Sequence, residues 1–493
     1  MVMATDTSAS VDPATGRAER STDLRVDRLV GVLSYALLLL TFGLALRQAL
    51  QPLRDPDTWW HLRLGEEFRG GWSPRDPGSL SPFADRPWTA TQWLPDVLAS
   101  QLASWFGLPG VVWFAAAGML LLAAAVFGSC RRVGGVLPAV LATAATMVGA
   151  SLSLTPRPHL VSFLFLAITL HAWLGTARDL RPRWWLLALG WVWACSHGMW
   201  LLGPMVGLAV IGGLLLERRL PTGRLARLLA VPVGSVVAAA LTPAGPGLVL
   251  VPFTTRGTSQ QYISEWGSPS FQEIAPATTA LMIGVVVVVW ARRGGRVPWT
   301  HVVLLGFATA WTLLSYRTVA LGAVITAPLL AAALESLRRD PHEAGTALRE
   351  RLVVAGMLLA CLAGAAAVVS TSTSVASPAT DQFPVALDAD LAALPEGTVV
   401  FNEYLVGGWL EWEHRNVVPV IDGMTHAYPD AWVGEHVRAT RLEKGWQDVV
   451  EGTGAEYALL RTASPLALEL ASHLDWREVG RDPRAGYVLL EAP

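Results

Sequence analysis

The chain has 493 residues, of which 52% are hydrophobic and 15% charged, with a mean hydropathy of +0.42. Soluble domains carry roughly 25% charged residues, so most of this chain is built for a lipid solvent. A formal net charge of -2 argues against a nucleic-acid partner, which calls for a basic footprint. The three cysteines, Cys130, Cys195 and Cys361, lie in apolar runs without CxxC spacing, which argues against a disulfide framework or a zinc site.

Residues 1–28, polar and carrying Arg17, Arg20, Arg25 and Arg28, read as a disordered cytoplasmic tail. No small-residue cleavage site follows Leu46, so the first apolar run reads as an uncleaved span. A crossing needs about 20 apolar residues. Runs near that length recur at 29–46, 111–130, 136–154, 160–173, 184–195, 199–216, 228–242, 275–290, 302–314, 319–334 and 353–369, which predicts about eleven transmembrane helices over a membrane domain 29–369. Arginine clusters at 131–132, 178–183, 218–227, 292–296 and 338–351 alternate with polar breaks at 155–159, 196–198, 243–273 and 315–317. With the arginines inside, every break falls outside. The N-terminus is then inside, and a first outer loop, 51–109, faces out with the C-terminal part of the chain.

Residues 370–380, rich in Ser, Thr, Ala and Pro, read as a linker. Residues 381–493 read as a small extracytoplasmic α/β domain. Its expected strands are 398–401, 417–421, 457–460 and 487–490; its expected helices are 405–412, 432–441 and 465–473, with turn glycines Gly423 and Gly454. The pair Gly407–Gly408 suits a close approach of helix to sheet. Asp422 suits either a ligand contact or an Asp-Gly turn.

The densest chemistry lies just after the first span, in "RDPDTWWHLRLGEEF", residues 54–68. Pro56 favours an extended Asp55, and side chains two apart on extended backbone point the same way. Asp55 and Asp57 therefore present two carboxylates together, a spacing that suits a shared divalent cation such as Mg or Mn, or mutual pKa shifts. His61 follows one helical turn later. The plainer reading makes Asp57 the N-cap of a helix starting at Thr58, with Trp59 and Trp60 in an interfacial aromatic belt.

Other polar residues fall on the same side. They are Arg157 and His159 in "TPRPHL", His197 in "WACSHGMW", Glu265 and Trp266 in "YISEWGSPSF", and Arg317 in "LLSYRTVAL". A lone Arg at a helix end normally snorkels to the interface. Several cations facing several carboxylates are what a reaction releasing a phosphate requires. Only Lys444 among the 37 basic residues is lysine, so the choice of Arg carries no information by itself. The expected substrate contacts are His61, Trp60, Glu265, Trp266 and His197.

Over nearly the whole chain after Arg28, the ordered motifs "DPDTWWHLRLGEEF", "WTATQWLPDVLAS", "RPHLVSFLF", "WACSHGMWLLG", "LTPAGPGL", "ISEWGSPSF" and "VFNEYLVGGWLEW…VPVIDGMTHAYPD" resemble a group of bacterial polytopic GT-C glycosyltransferases. That group is related to the protein O-mannosyltransferase and aminoarabinose-transferase class. The resemblance implies a GT-C-like fold in the bacterial cytoplasmic membrane and a polyprenyl-phosphate sugar as donor. It implies inverting transfer to an extracytoplasmic glycan, lipid or protein acceptor. It also implies Asp57 as base or acceptor anchor, with Asp55 as its partner, and Arg317, Arg157 and His159 at the donor phosphate. Gln92-Trp93 stands where relatives have Glu-Trp, and the paired Asp-Glu of the mannosyltransferases is absent. Two other classes fit a polytopic chain: a flippase for lipid-linked glycans, which calls for charges midway along spans, and a non-catalytic envelope scaffold.

Overall fold

Backbone polar groups in lipid need partners within their own segment, so long apolar runs become helices. The structure, a computed structural model, describes residues 13–254, 263–338 and 347–493. Among these, eight helices are long and apolar enough to cross a membrane: Leu29–Ala49, Leu108–Arg131, His159–Asp179, Gly198–Leu216, Thr222–Ala240, Ile274–Arg293, Tyr316–Ser336 and Leu348–Thr371. Three shorter apolar helices, Val136–Gly149, Trp185–Ser196 and Trp299–Leu314, complete the set at the remaining expected spans.

The helix ending at Ala49 (α1, Pro13–Ala49) begins well before the apolar run. Residues 13–28, expected to be disordered, are therefore helical. Pro13 fits the first helical position, and the following Ala, Arg, Glu and Leu residues are good helix formers that extend an already nucleated span. Residues 1–12 lie outside the described residues, as do 255–262 in the fourth expected outer loop and 339–346 in the last arginine cluster. Tyr316–Ser336 forms the bundle centre, with 89% of its apolar window buried; Leu348–Thr371, at 11%, lies on the periphery.

At one end of the bundle, the first long loop folds into two helices, α2 (Asp57–Gly70) and α3 (Trp93–Phe106). They meet at Gly65, where any Cβ would overlap the Asp96 carbonyl. Arg69 ties them further, donating to the Ser100 carbonyl and hydroxyl at 3.0 Å.

The C-terminal domain carries a five-stranded sheet of order β2-β1-β3-β5-β4: β1 (Thr398–Asn402), β2 (Val417–Pro419), β3 (Tyr457–Arg461), β4 (Arg477–Asp482) and β5 (Tyr487–Glu491). β1 pairs in parallel with β2 and β3, while β5 runs antiparallel to both β3 and β4. Four of these strands were expected. β4 is an exposed, bulged edge strand without an apolar alternation to betray it.

The domain does not hang from a free linker. Within the stretch expected to be one, Ser377 O accepts from Leu53 N at 2.9 Å, and Ala379 N donates to Leu53 O at 3.0 Å. Trp59, expected in an interfacial belt, is fully buried, with its ring edge-on to Phe383 at 5.5 Å. Phe383 in turn stacks on Trp409. The loop helices and the C-terminal domain thus share one core.

Candidate active site: one guanidinium among three carboxylates

Asp55 accepts the Asp57 backbone N–H at 3.0 Å through Oδ1, so Asp55 is the residue that satisfies the start of α2. The helix begins at Asp57 itself, and the capping role expected of Asp57 is not the one observed. Its side chain is released toward Arg157. Arg157 lies in the turn before the His159–Asp179 helix and stands against a different carboxylate at each of its nitrogen positions, with Nη1 and Nη2 donating to theirs and Nε donating to the Thr155 hydroxyl at 3.3 Å beside its ion pair. Nε pairs with Asp55 Oδ2 at 2.8 Å, Nη1 with Asp57 Oδ2 at 2.6 Å, and Nη2 with Glu265 Oε1 at 2.5 Å. Its side chain is 14% exposed, so these contacts are only lightly screened. Burial alone would loosen the Arg157 proton, but Asp57, Asp55 and Glu265 reverse this and hold its pKa above the ordinary value. Burial pushes the Asp55 pKa up despite Arg157. For Glu265, burial is outweighed by Arg157 and Arg317, and its pKa falls.

Arg317 is placed differently. Its closest carboxylate oxygen, Glu265 Oε2, is 3.6 Å away, and its guanidinium carbon stands 5.6 Å from the centre of the Trp266 ring. A Tyr316 N–H bond to Gly267 O at 2.9 Å pins the loop that carries Glu265 and Trp266 against this arginine. Asp55, Asp57, Arg157, Glu265, Trp266 and Arg317 therefore converge, as the sequence suggested.

The other expected residues lie around this centre with different partners. His61 Nδ1 meets Asp96 Oδ1 at 2.9 Å, and its ring stacks on Trp60 at 3.7 Å. Both members of the pair are buried: the Asp96 pKa is raised well above its ordinary value and that of His61 pushed well below, chiefly by desolvation. Trp60 is also buried, against the C-terminal domain. His159 spends Nε2 on the Ser153 carbonyl at 2.5 Å and lies 6.3 Å, ring to ring, from His197. His197 Nδ1 contacts Ser162 Oγ at 3.0 Å and accepts the Met199 N–H at 3.4 Å. These two histidines are fastened into helix junctions.

Sequence reasoning missed what the C-terminal domain brings. A Cβ on Gly423 would overlap Asp57 Oδ1 and Trp60 Nε1, and one on Gly408 would crowd the Trp60 backbone. Tyr404 reaches the Gly423 carbonyl at 3.4 Å, and the His426 ring lies 6.5 Å from that of Trp60. Beneath Gly423, Asp422 accepts from the Tyr428 hydroxyl at 3.1 Å and from Met424 N at 2.5 Å. Glu411 is buried beside it, both oxygens lacking a conventional donor. Burial and the neighbouring carboxyl raise the pKa of Glu411, and burial raises that of Asp422. The missed signals were modest: Asp96 in "QWLPDVL" and Glu411 in "GGWLEWE" are acids inside apolar stretches.

No family model and no curated protein matches this chain. Solved structures do match in fold. The archaeal oligosaccharyltransferase AglB from Archaeoglobus fulgidus, in complex with an inhibitory peptide and a dolichol-phosphate, aligns over 89% of this chain and 70% of its own at 14% identity, TM-score 0.58. A complex of the Archaeoglobus fulgidus oligosaccharyltransferase with Zn and sulfate aligns over 87% and 68% at 14% identity, TM-score 0.51. ArnT from Cupriavidus metallidurans bound to undecaprenyl phosphate aligns over 93% and 97% at 14% identity, TM-score 0.52. The fold is GT-C-like. It consists of a polytopic helical membrane domain with a small C-terminal α/β domain, as the ordered motifs led one to expect.

Proposed function

We propose that the protein is a membrane glycosyltransferase that moves a sugar from a polyprenyl-phosphate donor to an acceptor on the outer side of the membrane. The acceptor is a hydroxyl-bearing glycan, lipid or protein. The acceptor oxygen attacks the anomeric carbon from the face opposite the phosphate, and the carbon–oxygen bond to phosphate breaks with its electron pair staying on the phosphate. The acceptor's proton passes to Asp57 Oδ1, and Arg317 meets the charge of the departing polyprenyl phosphate.

The single observation carrying this reading is a division of labour. Arg157 is saturated by three carboxylates and holds Asp57 by Oδ2, whereas Asp57 Oδ1 has no hydrogen-bond partner among the described residues. Among the described residues, the one carboxylate paired with Arg317 is Glu265, at 3.6 Å, and its other neighbour is the Trp266 ring. An oriented carboxylate thus stands near a lightly engaged cation. Support from fold likeness comes from ArnT, solved with undecaprenyl phosphate, and AglB, solved with dolichol-phosphate. The orientation we propose, N-terminus inside and C-terminal domain outside, rests on the arginine clusters; cysteine labelling in intact cells tests it.

Transfer of labelled sugar by the purified protein, across a panel of polyprenyl-phosphate sugars and with cell-envelope extracts as acceptor, tests the activity. Asp57→Asn is expected to lower turnover by about 10²–10⁴-fold, and Arg317→Gln to weaken donor use with the fold intact. Undiminished turnover in Asp57→Asn removes the assignment.

A further inference from the structure

The two aspartates of the first loop were expected to suit a divalent cation, and a protein of this fold has been solved with Zn. The residues present do not fit one. A hard cation gathers carboxylate oxygens at about 2.0–2.6 Å around a point. Here the three carboxylates are spread around a planar group, each on a different nitrogen of Arg157. Among the described residues, no three His, Cys, Asp or Glu side chains stand close enough to hold a metal. The imidazole next along the chain, His159, has committed Nε2 to the Ser153 carbonyl.

We propose that the Arg157 guanidinium is a built-in substitute for a divalent cation, so that the transfer centre works without metal, and that removing this side chain opens a cation site among Asp55, Asp57 and Glu265. The inference rests on the transferase reading for its functional half. The argument is one of charge and shape. Three carboxylates facing one another in a partly sealed corner repel unless a cation stands between them. A guanidinium does this with a charge that never titrates away and with five donors in fixed directions. It is tethered to the chain, so it cannot be chelated or exchanged. A metal would also neutralise the cluster, but it would draw Asp57 inward as a ligand, whereas Arg157 engages one oxygen of Asp57 and leaves the other, which lies against Gly423, without a hydrogen bond among the described residues.

The test uses the full-length protein in detergent or nanodiscs. For the wild type, transfer is expected to be unchanged by EDTA and by added Mn²⁺, and Mn²⁺ electron paramagnetic resonance to show no high-affinity site. In Arg157→Ala and Arg157→Gln, made together so that misfolding of one leaves a readout, Mn²⁺ is expected to bind at least about tenfold more tightly than to wild type. Added Mn²⁺ should also raise their melting temperature. In Arg157→Ala combined with Glu265→Gln that gain should disappear. Wild-type transfer that EDTA abolishes and Mn²⁺ restores overturns the proposal, as does an Arg157 variant that folds but binds no more Mn²⁺ than wild type. Absence of transfer with every donor would instead count against the glycosyltransferase reading, since the binding experiment does not depend on activity.

Discussion

Two acidic clusters, one half-buried and one buried, sit back to back in this protein, and they solve the same problem in opposite ways. Around Arg157, three carboxylates are balanced by a guanidinium. A few residues away, Glu411 and Asp422 share a sealed corner in which hydroxyl and amide donors reach Asp422 and, among the described residues, no cation pairs directly with either acid, Arg63 acting on Glu411 only weakly against burial. In the first cluster the two arginines lower the Glu265 pKa, although burial still raises that of Asp55; in the second, burial raises both Glu411 and Asp422. The difference teaches what a cation does: beside one, a half-buried carboxylate is held ionised, as Glu265 is, and away from one a buried carboxyl is driven to keep its proton, as Glu411 is. Their pH responses run in opposite senses. Glu265, with its pKa lowered, stabilises the fold above its ordinary value of 4.5 and loses that contribution as pH falls. Glu411, with its pKa raised, stabilises fully below 4.5 and loses its contribution as pH rises.

The largest effect should come from Arg157→Ala. Stripping the cation from the first cluster leaves one buried and two half-buried carboxylates uncompensated, at a cost of up to about 3 kcal/mol without added metal, read by denaturant unfolding. No measurable loss would show that the cluster protonates as the second one does, and the contrast would collapse. Gly423→Ala comes next, since it presses a methyl group into the contact between the two clusters. Trp60 is packed and Asp57 is pinned by Arg157, so neither can yield freely. Overpacking should cost about 1–3 kcal/mol, and turnover should fall further than stability alone explains, as Asp57 is pushed off its position. Asp96→Ala should cost about 1–3 kcal/mol by leaving buried His61 without its partner, whereas Asp96→Asn, which keeps a hydrogen bond, should cost less; unfolding midpoints of the two variants separate these. The smallest effect belongs to Glu411→Gln. Its melting temperature should match wild type below pH 4.5 and exceed it progressively as pH rises, because the amide needs no proton. A flat difference across pH would show that Glu411 does not keep its proton above its ordinary value.

Much of this was legible in the chain. The spans follow from apolar run length, and "DPD", "TPRPH", "SEW" and "SYR" fall at helix ends that the bundle brings together. What the sequence did not reveal is pairing. Nothing in "TPRPHL" says that Arg157 would be used up by Asp55, Asp57 and Glu265, leaving Arg317 less engaged. The C-terminal domain looked separable because local patterns mark strands and helices but not what they pack on. Gly408 and Gly423, read as turn or helix–sheet residues, prove to be the points where that domain touches Trp60 and Asp57. β4 escaped because an edge strand with exposed side chains has no periodicity to find.

The docking of the C-terminal domain on α2 has a consequence for biogenesis. Contacts such as Arg415 with Glu66 join residues 349 positions apart, so the first loop leaves the ribosome long before its partner exists. Until residues near 380–430 arrive, Trp59 and Trp60 have nowhere to bury their rings. Truncated chains would expose that greasy surface to chaperones and proteases, and the cluster around Arg157 would gain its cover from Gly423 only when synthesis is nearly finished.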